Sequence, residues 1–187
     1  MMPDVPSPAM RHLTTKELEA GLADIERSPR ERGVLMQIVR RPSSGERALL
    51  DTGVLDVEEG LVGDRWALGK RRRVNQLTLI NTRLISLVAQ TRERWPLAGD
   101  QLFVDFDLSL AHLPAGTRVA IGAAEIEVSP EPHMGCRLFR DRYGDDAQRF
   151  VNSPVGHALQ LRGINAWVVK GGAVRIGDEV RAMFDAG

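Results

Sequence analysis

The chain has 187 residues, enough to bury one good core. Basic and acidic residues balance at 25 each, so no net field points to nucleic acid or to an anionic membrane surface. The single cysteine excludes an intrachain disulfide framework and a cysteine-rich zinc module, and no apolar run approaches the length that spans a bilayer.

Residues 1–10 read as a loose arm. The first eleven residues hold three prolines and no apolar core segment, which argues against a signal peptide and makes the cytoplasm the default location. Thr14 and Glu17 fit a capping box, and Leu18, Leu22 and Ile25 then make a helical stripe that ends near Pro29. The expected organisation is residues 1–32 as arm and outer helix, with residues 33–187 as the main domain. Residues 34–40 and 47–57 read as strands about a Pro42–Gly45 turn, the second broken near Gly53.

Two glycines three apart follow in Gly60-Leu61-Val62-Gly63-Asp64-Arg65-Trp66, permitting backbone approaches that a side chain would block. Lys70, Arg71, Arg72 and Arg73 come next, a run that is either a solvated face or an anion site. Residues 74–80 read as a strand. Asn81 or Thr82 then caps a helix expected to reach Arg94, with Leu84, Ile85, Leu87 and Val88 as its apolar face. Gly99-Asp100-Gln101 leads into a strand over 102–107, and residues 119–129 read as two strands hinged at Gly122.

The stretch Pro130-Glu131-Pro132-His133-Met134-Gly135-Cys136-Arg137 holds the cysteine in or just after a constrained turn. A short helix over 137–143, stopped by Gly144, would put Cys136 near a helix N-terminus, with His133, Arg137 and Arg140 adding positive charge that favours a thiolate. The alternative is a buried cysteine acting as a small hydrophobe. Residues 145–151 read as a helix broken at Asn152-Ser153-Pro154, and 156–161 are ambiguous. Arg162-Gly163 opens a central strand over 164–169, Gly171-Gly172 turns it, and 179–184 make an alternating last strand. Many short strands and close-set glycine turns, with about three helices between them, predict a mainly β (α+β) fold. The expected architecture is a closed or nearly closed β-barrel with inserted helices and an N-terminal helix.

These motifs, in this order, resemble the MOSC domain, named for the C-terminal domain of molybdenum cofactor sulfurases. Gly60 to Asp64 is similar to its early Gly-Asp signature, and Gly99-Asp100-Gln101-Leu102 to its Gly-x-Asn-like element, with Gln101 where asparagine is more usual. Residues 113–122 resemble the segment leading to the cysteine strand. Cys136 falls at the family's cysteine, and Arg162-Gly163-Ile164 and residues 171–178 resemble the closing elements. The resemblance spans roughly residues 33–184. It implies a barrel that binds a molybdenum-pterin cofactor or carries activated sulfur. Cys136 would be the catalytic residue, either carrying a persulfide or ligating molybdenum. Reduction of N-hydroxylated substrates and sulfur transfer are the activities it suggests.

The residues expected to contact the cofactor are Gly63, Asp64, Arg65, Arg71, Arg72, Asp100, Gln101, His133, Arg137 and Arg162. Arginines among them suit its phosphate. The chain is too short to include a pyridoxal-phosphate sulfurase domain, so pyridoxal phosphate is not expected on it. A sulfur donor or redox partner protein and a small-molecule substrate are the expected partners, without nucleic acid or membrane. Other readings remain open. One is a non-catalytic module that docks the cofactor or a partner. Another is a cysteine hydrolase pairing Cys136 with His157 or His112, and a third is a zinc site at His133 and Cys136.

Overall fold

The computed structural model describes residues 11–184; the arm expected at residues 1–10 lies outside them. Two short helices come first, α1 (Thr15–Ala20) and α2 (Leu22–Glu26). The capping box is formed: Thr14 accepts from the Glu17 amide and the Glu17 carboxylate accepts from the Thr14 amide. The single helix expected here is divided at Gly21, whose α-carbon lies against Leu87.

The strands follow as β1 (Gly33–Arg40), β2 (Ala48–Leu50), β3 (Thr52–Asp56), β4 (Gly60–Leu61), β5 (Leu77–Asn81) and β6 (Leu102–Asp105). Beyond them lie β7 (Arg118–Ile121), β8 (Ala124–Pro132), β9 (Ile164–Lys170), β10 (Gly172–Arg175) and β11 (Glu179–Met183). Seven strands close in the order β1-β6-β5-β9-β8-β7-β11, with β11 returning to pair with β1. The result is a mixed α+β protein built on a closed barrel, which leaves no open edge around the ring. β2 hangs beside β1, and β10, β3 and β4 form a separate small sheet. The second strand expected at 47–57 is therefore two, parted at Asp51 rather than at Gly53, and its halves serve different sheets.

All joints of the ring are antiparallel except β5–β6. A parallel neighbour needs a crossover. Here it runs through α3 (Thr82–Ala89), capped by the Asn81 side chain on the Arg83 amide, and a 3₁₀ segment over Arg92–Ala98. The helix expected through Arg94 ends early because Gln90 turns left-handed at φ 63°. Period-two alternation divides β1, β5 and β6 between two cores. Leu102 and Val104 of β6 point into the barrel with Leu35, Ile126, Ile164 and Val168. Phe103 points outward and stacks on Trp95 at 6.0 Å. That outer core also takes Leu18 and Ile25 from the N-terminal helices, Leu84 and Ile85 from α3, and Phe139 and Phe150 from two later helices. These are α4 (Arg137–Tyr143) and α5 (Asp145–Val151), with α6 (Pro154–Ala158) after them. The Thr15 amide donates to Asp146 at 2.8 Å, tying α1 to α5. Among the described residues no helix is long and apolar enough to cross a membrane.

Because β5 runs with β6 and against β1, the end of β1 and the starts of β5 and β6 meet at one rim. Pairing of Pro132 with Ile164 brings the end of β8 and the start of β9 together as well. The motifs that stand far apart in sequence converge here.

Candidate functional site

Two buried ion pairs build the floor of this rim. Asp64 is 1% exposed and grips Arg41 in a two-pronged contact, Nε to Oδ2 at 3.0 Å and Nη2 to Oδ1 at 2.8 Å. It also accepts from the amides of Arg41 and Trp66 at 2.9 and 3.0 Å. Burial works to raise the Asp64 pKa, but the Arg41 guanidinium and these amides outweigh it, so the carboxyl stays below its usual value. Arg41 in turn donates to the Gly99 carbonyl at 2.8 Å, tying the Gly63-Asp64 turn to the Gly99-Asp100 turn.

Asp100, wholly buried, accepts twice from Nη1 of Arg162, at 2.8 and 3.1 Å. Arg162 is 5% exposed, donates to the Ala98 carbonyl at 3.0 Å and lies over the Phe139 ring at 5.1 Å. Gly163 follows at φ 105°, and a Cβ there would meet the Leu79 carbonyl oxygen at 2.1 Å, so only glycine lets Arg162 enter beside β5. Gln101 is wholly buried too. Its carbonyl oxygen accepts from the Thr78 amide and hydroxyl at 2.8 and 2.9 Å, and its amide donates to the Gln76 carbonyl at 3.2 Å. Glutamine in place of the usual asparagine is thus a strap between β5 and β6. Asp64, Asp100, Gln101 and Arg162 support the site from behind.

Over this floor opens a cleft of about 520 Å³ lined by Arg41, Arg65, Trp66, Lys70, Arg71, Arg72, Asn75, Thr78, Glu131, His133 and Asn165, among others. Three members of the basic run at 70–73 therefore face a cavity. Arg72 pairs with Glu131 at 2.8 Å, whereas Arg65, Lys70 and Arg71 have no carboxylate partner among the described residues. Arg71 is fixed by its Nε on the Ala67 carbonyl at 2.6 Å, and Arg73 turns away to lie over Trp167 at 5.2 Å. Trp66 is the cleft's one aromatic wall, its Nε1 donating to Asn75 at 3.4 Å. Gly63 stands at the edge, its α-carbon covered by Arg40.

His133 joins floor and cleft. Its Nδ1 lies 3.5 Å from Asp100 and 3.5 Å from Arg162. Burial, with the Arg162 charge beside it, lowers its pKa to about 3, so the imidazole is neutral at pH 7. The chain then turns through Gly135 to Cys136. Gly135 donates to Asn152 Oδ1 at 2.8 Å and accepts from Asn152 at 2.9 Å and from Gln148 at 3.1 Å. A Cβ on Gly135 would meet Val151 at 2.7 Å. Three polar contacts and one close approach thus pin the residue before the cysteine. Cys136 itself is exposed and is the first residue before α4. It stands three residues beyond His133 and does not line the cleft. Arg137 also stays outside, its side chain 84% exposed and paired with Asp141.

The cysteine is therefore not a buried hydrophobe. His112 is buried with Nδ1 at 2.7 Å from the Asp107 carbonyl and its ring between Phe106 and Phe184, while His157 is exposed on α6. Among the described residues no three His, Cys, Asp or Glu side chains gather as a metal site. A metal near Cys136 would need ligands supplied by a bound group. Sequence reasoning missed Arg41, Asn152 and Gln148. Arg41 precedes a proline turn and Asn152 sits in a helix-breaking triplet, so neither carries a local sign of its distant partner.

A family model for the MOSC domain matches residues 87–181 of the chain. Among solved structures, the YuaD protein from Bacillus subtilis superposes with a TM-score of 0.59 at 20% identity, covering 82% of this chain and 97% of that one. YiiM from Geobacillus stearothermophilus gives 0.57 at 11% identity, over 81% and 75% of the two chains. YiiM from Escherichia coli gives 0.54 at 20% identity, over 82% and 71%. At such identities these likenesses bear on the fold alone. No curated protein matches the sequence significantly.

Proposed function

The chain belongs to the MOSC domain family, and from that membership we propose that it binds a molybdenum-pterin cofactor in the basic cleft, with Cys136 as its reactive or ligating thiol. One observation carries the reading. Three cations without carboxylate partners among the described residues, Arg65, Lys70 and Arg71, surround a cavity that also offers the flat face of Trp66. Unpaired guanidinium and ammonium groups suit a phosphate, and an indole face suits a planar heterocycle. The donor set therefore fits the pterin end of the cofactor. When bound, the molybdenum would supply two-electron redox chemistry.

The chain's own residues do the rest. Arg65, Lys70 and Arg71 hold the anionic end. His133 stays neutral, so its ring can donate or accept one hydrogen bond at the cleft wall without adding charge. Asn152 and Gln148 hold the turn that presents Cys136. Reduction of an N-hydroxylated substrate takes two electrons and two protons from a redox partner and releases water. The exposure of Cys136 outside the cleft supports sulfur carriage as a second reading. In that step the Cys136 thiolate attacks the outer sulfur of a protein persulfide. The donor's S–S bond breaks, its thiolate leaves with the electron pair, and the persulfide passes to Cys136.

The test is metal analysis with intact-mass spectrometry on protein freshly purified from a cofactor-competent host. Near-stoichiometric molybdenum, or a one-sulfur mass increment, is expected in the wild type and lost in Cys136→Ser, because serine neither forms a persulfide nor matches a thiolate as a soft-metal ligand. Equal metal and sulfur content in both proteins would sink the role given to Cys136. The fold should be unaffected, since the site is exposed.

A further inference from the structure

A second group of arginines lies behind the cleft wall, around the turn at Gly99. The four carbonyls that end the 3₁₀ segment each accept from a different arginine. Arg47 donates to Pro96 at 3.1 Å, Arg142 to Leu97, Arg162 to Ala98 at 3.0 Å and Arg41 to Gly99 at 2.8 Å. Cations at the carbonyl end of a helical turn complement its dipole, which accounts for one arginine or two. It does not account for the charge left over. Arg41 and Arg162 are neutralised by Asp64 and Asp100. Arg47 and Arg142 have no carboxylate partner among the described residues.

Those two are the pair that flank Gly99. Arg47 Nη2 and Arg142 Nη1 would lie 3.7 and 3.8 Å from a Cβ placed on it, so the missing side chain leaves a gap walled by guanidinium nitrogens. The crowding has an electrostatic cost. Burial first, then the charges of Arg142, Arg41 and Arg65, lower the Arg47 pKa, and Asp64 alone opposes them. Like charges held together without a counter-ion are relieved when an anion enters.

We propose that Arg47 and Arg142, bracketing Gly99, form an oxyanion subsite of phosphate class, adjoining the cleft through Arg41 and Arg65. This deepens the cofactor reading, since a ligand spanning both places would carry a second phosphate, as a diphosphate does. The subsite itself requires only an oxyanion.

Inorganic pyrophosphate is the probe, titrated into the full chain without molybdenum, with the Gly99 and Asp100 amide resonances followed by NMR. Saturable shifts at these amides are expected in the wild type. Arg47→Gln combined with Arg142→Gln should weaken that binding at least about tenfold. Because both arginines also cap carbonyls, Gly99→Asn is the second variant. Asparagine tolerates the left-handed backbone at φ 87°, and its side chain would fill the gap while both guanidiniums remain. It too should abolish the saturable shifts at the amides of positions 99 and 100. No saturable shift in the wild type, or equal affinity in a folded Gly99→Asn protein, overturns the proposal. Molybdenum content is measured separately, so failure of the cofactor reading leaves this result standing, and the reverse.

Discussion

Two groups of basic side chains at this rim show opposite physics. In the floor of the cleft, Arg162 is buried and Arg41 is largely so, each held by an aspartate that is itself inaccessible to water. On the cleft face, Arg65, Lys70 and Arg71 are exposed and have no carboxylate partner among the described residues. The charge is the same, but the partner decides the work. A buried pair trades desolvation against Coulombic attraction and fixes geometry, whereas an exposed cation keeps its hydration and remains available to a ligand. Arg162, expected from sequence to contact the cofactor, belongs to the first region. Its contact with His133 is how it reaches the site.

The comparison is most sharply broken at Asp100. Asp100→Ala leaves the Arg162 charge buried and unpaired, and a loss of about 3–5 kcal/mol in unfolding free energy is expected by urea denaturation. A loss below about 1 kcal/mol would mean that water reaches Arg162 and that the pair is not a floor.

Gly135 tests the link between floor and cysteine. Gly135→Ala sets a methyl 2.7 Å from Val151 and 3.2 Å from Asn152, so the turn must shift. The expected cost is about 1–3 kcal/mol, with a changed alkylation rate of Cys136. An unchanged rate with unchanged stability would show that the turn is not fixed by these contacts.

How much of this could be read from sequence follows the range of each interaction. The capping box at Thr14, the helix stop at Gly144 and the alternation of β11 are local, and each was legible. The early end of α3 at Gln90 was not, because a left-handed glutamine has no strong sequence sign. The Gly-Asp and Arg-Gly motifs meet at one rim. Their roles depend on partners far along the chain, Arg41 with Asp64 and Asp100 with Arg162, and no local pattern couples them. The four-base run left a solvated face and an anion site open, and only closure of the barrel turned three of its members toward a cavity.

His133 stands between the two regions and should make stability pH-dependent. Its pKa of about 3 in the folded chain lies below the ordinary 6.5, so the unfolded chain binds the proton first as pH falls. Stability is therefore fully present above about pH 6.5 and declines toward about pH 3. Since 18% of the side chain still meets water, an effect on the order of 1 kcal/mol is expected rather than the full linkage value. Denaturation series at stepped pH would register it, and His133→Gln should flatten that part of the profile. A wild-type profile flat over the same range would place the imidazole in solvent.

The smallest expected effect on stability is the one that most separates the regions. Arg65 and Lys70 are exposed and without a carboxylate partner among the described residues, and they share the cleft with Arg41, Arg71 and Arg72. Replacing either with glutamine removes repulsion among these cations and breaks no ion pair. Arg65→Gln and Lys70→Gln should each leave unfolding free energy within about 0.5 kcal/mol of the wild type. The same variants should weaken phosphate binding and flatten its dependence on salt, because the attraction they remove is screened at the surface. Urea midpoints and calorimetric titration with phosphate at two ionic strengths measure both quantities on one preparation. A variant that loses stability while binding phosphate normally would move that residue to the buried region's side of the comparison. The pattern expected is the reverse of Asp100→Ala, with ligand lost and fold kept.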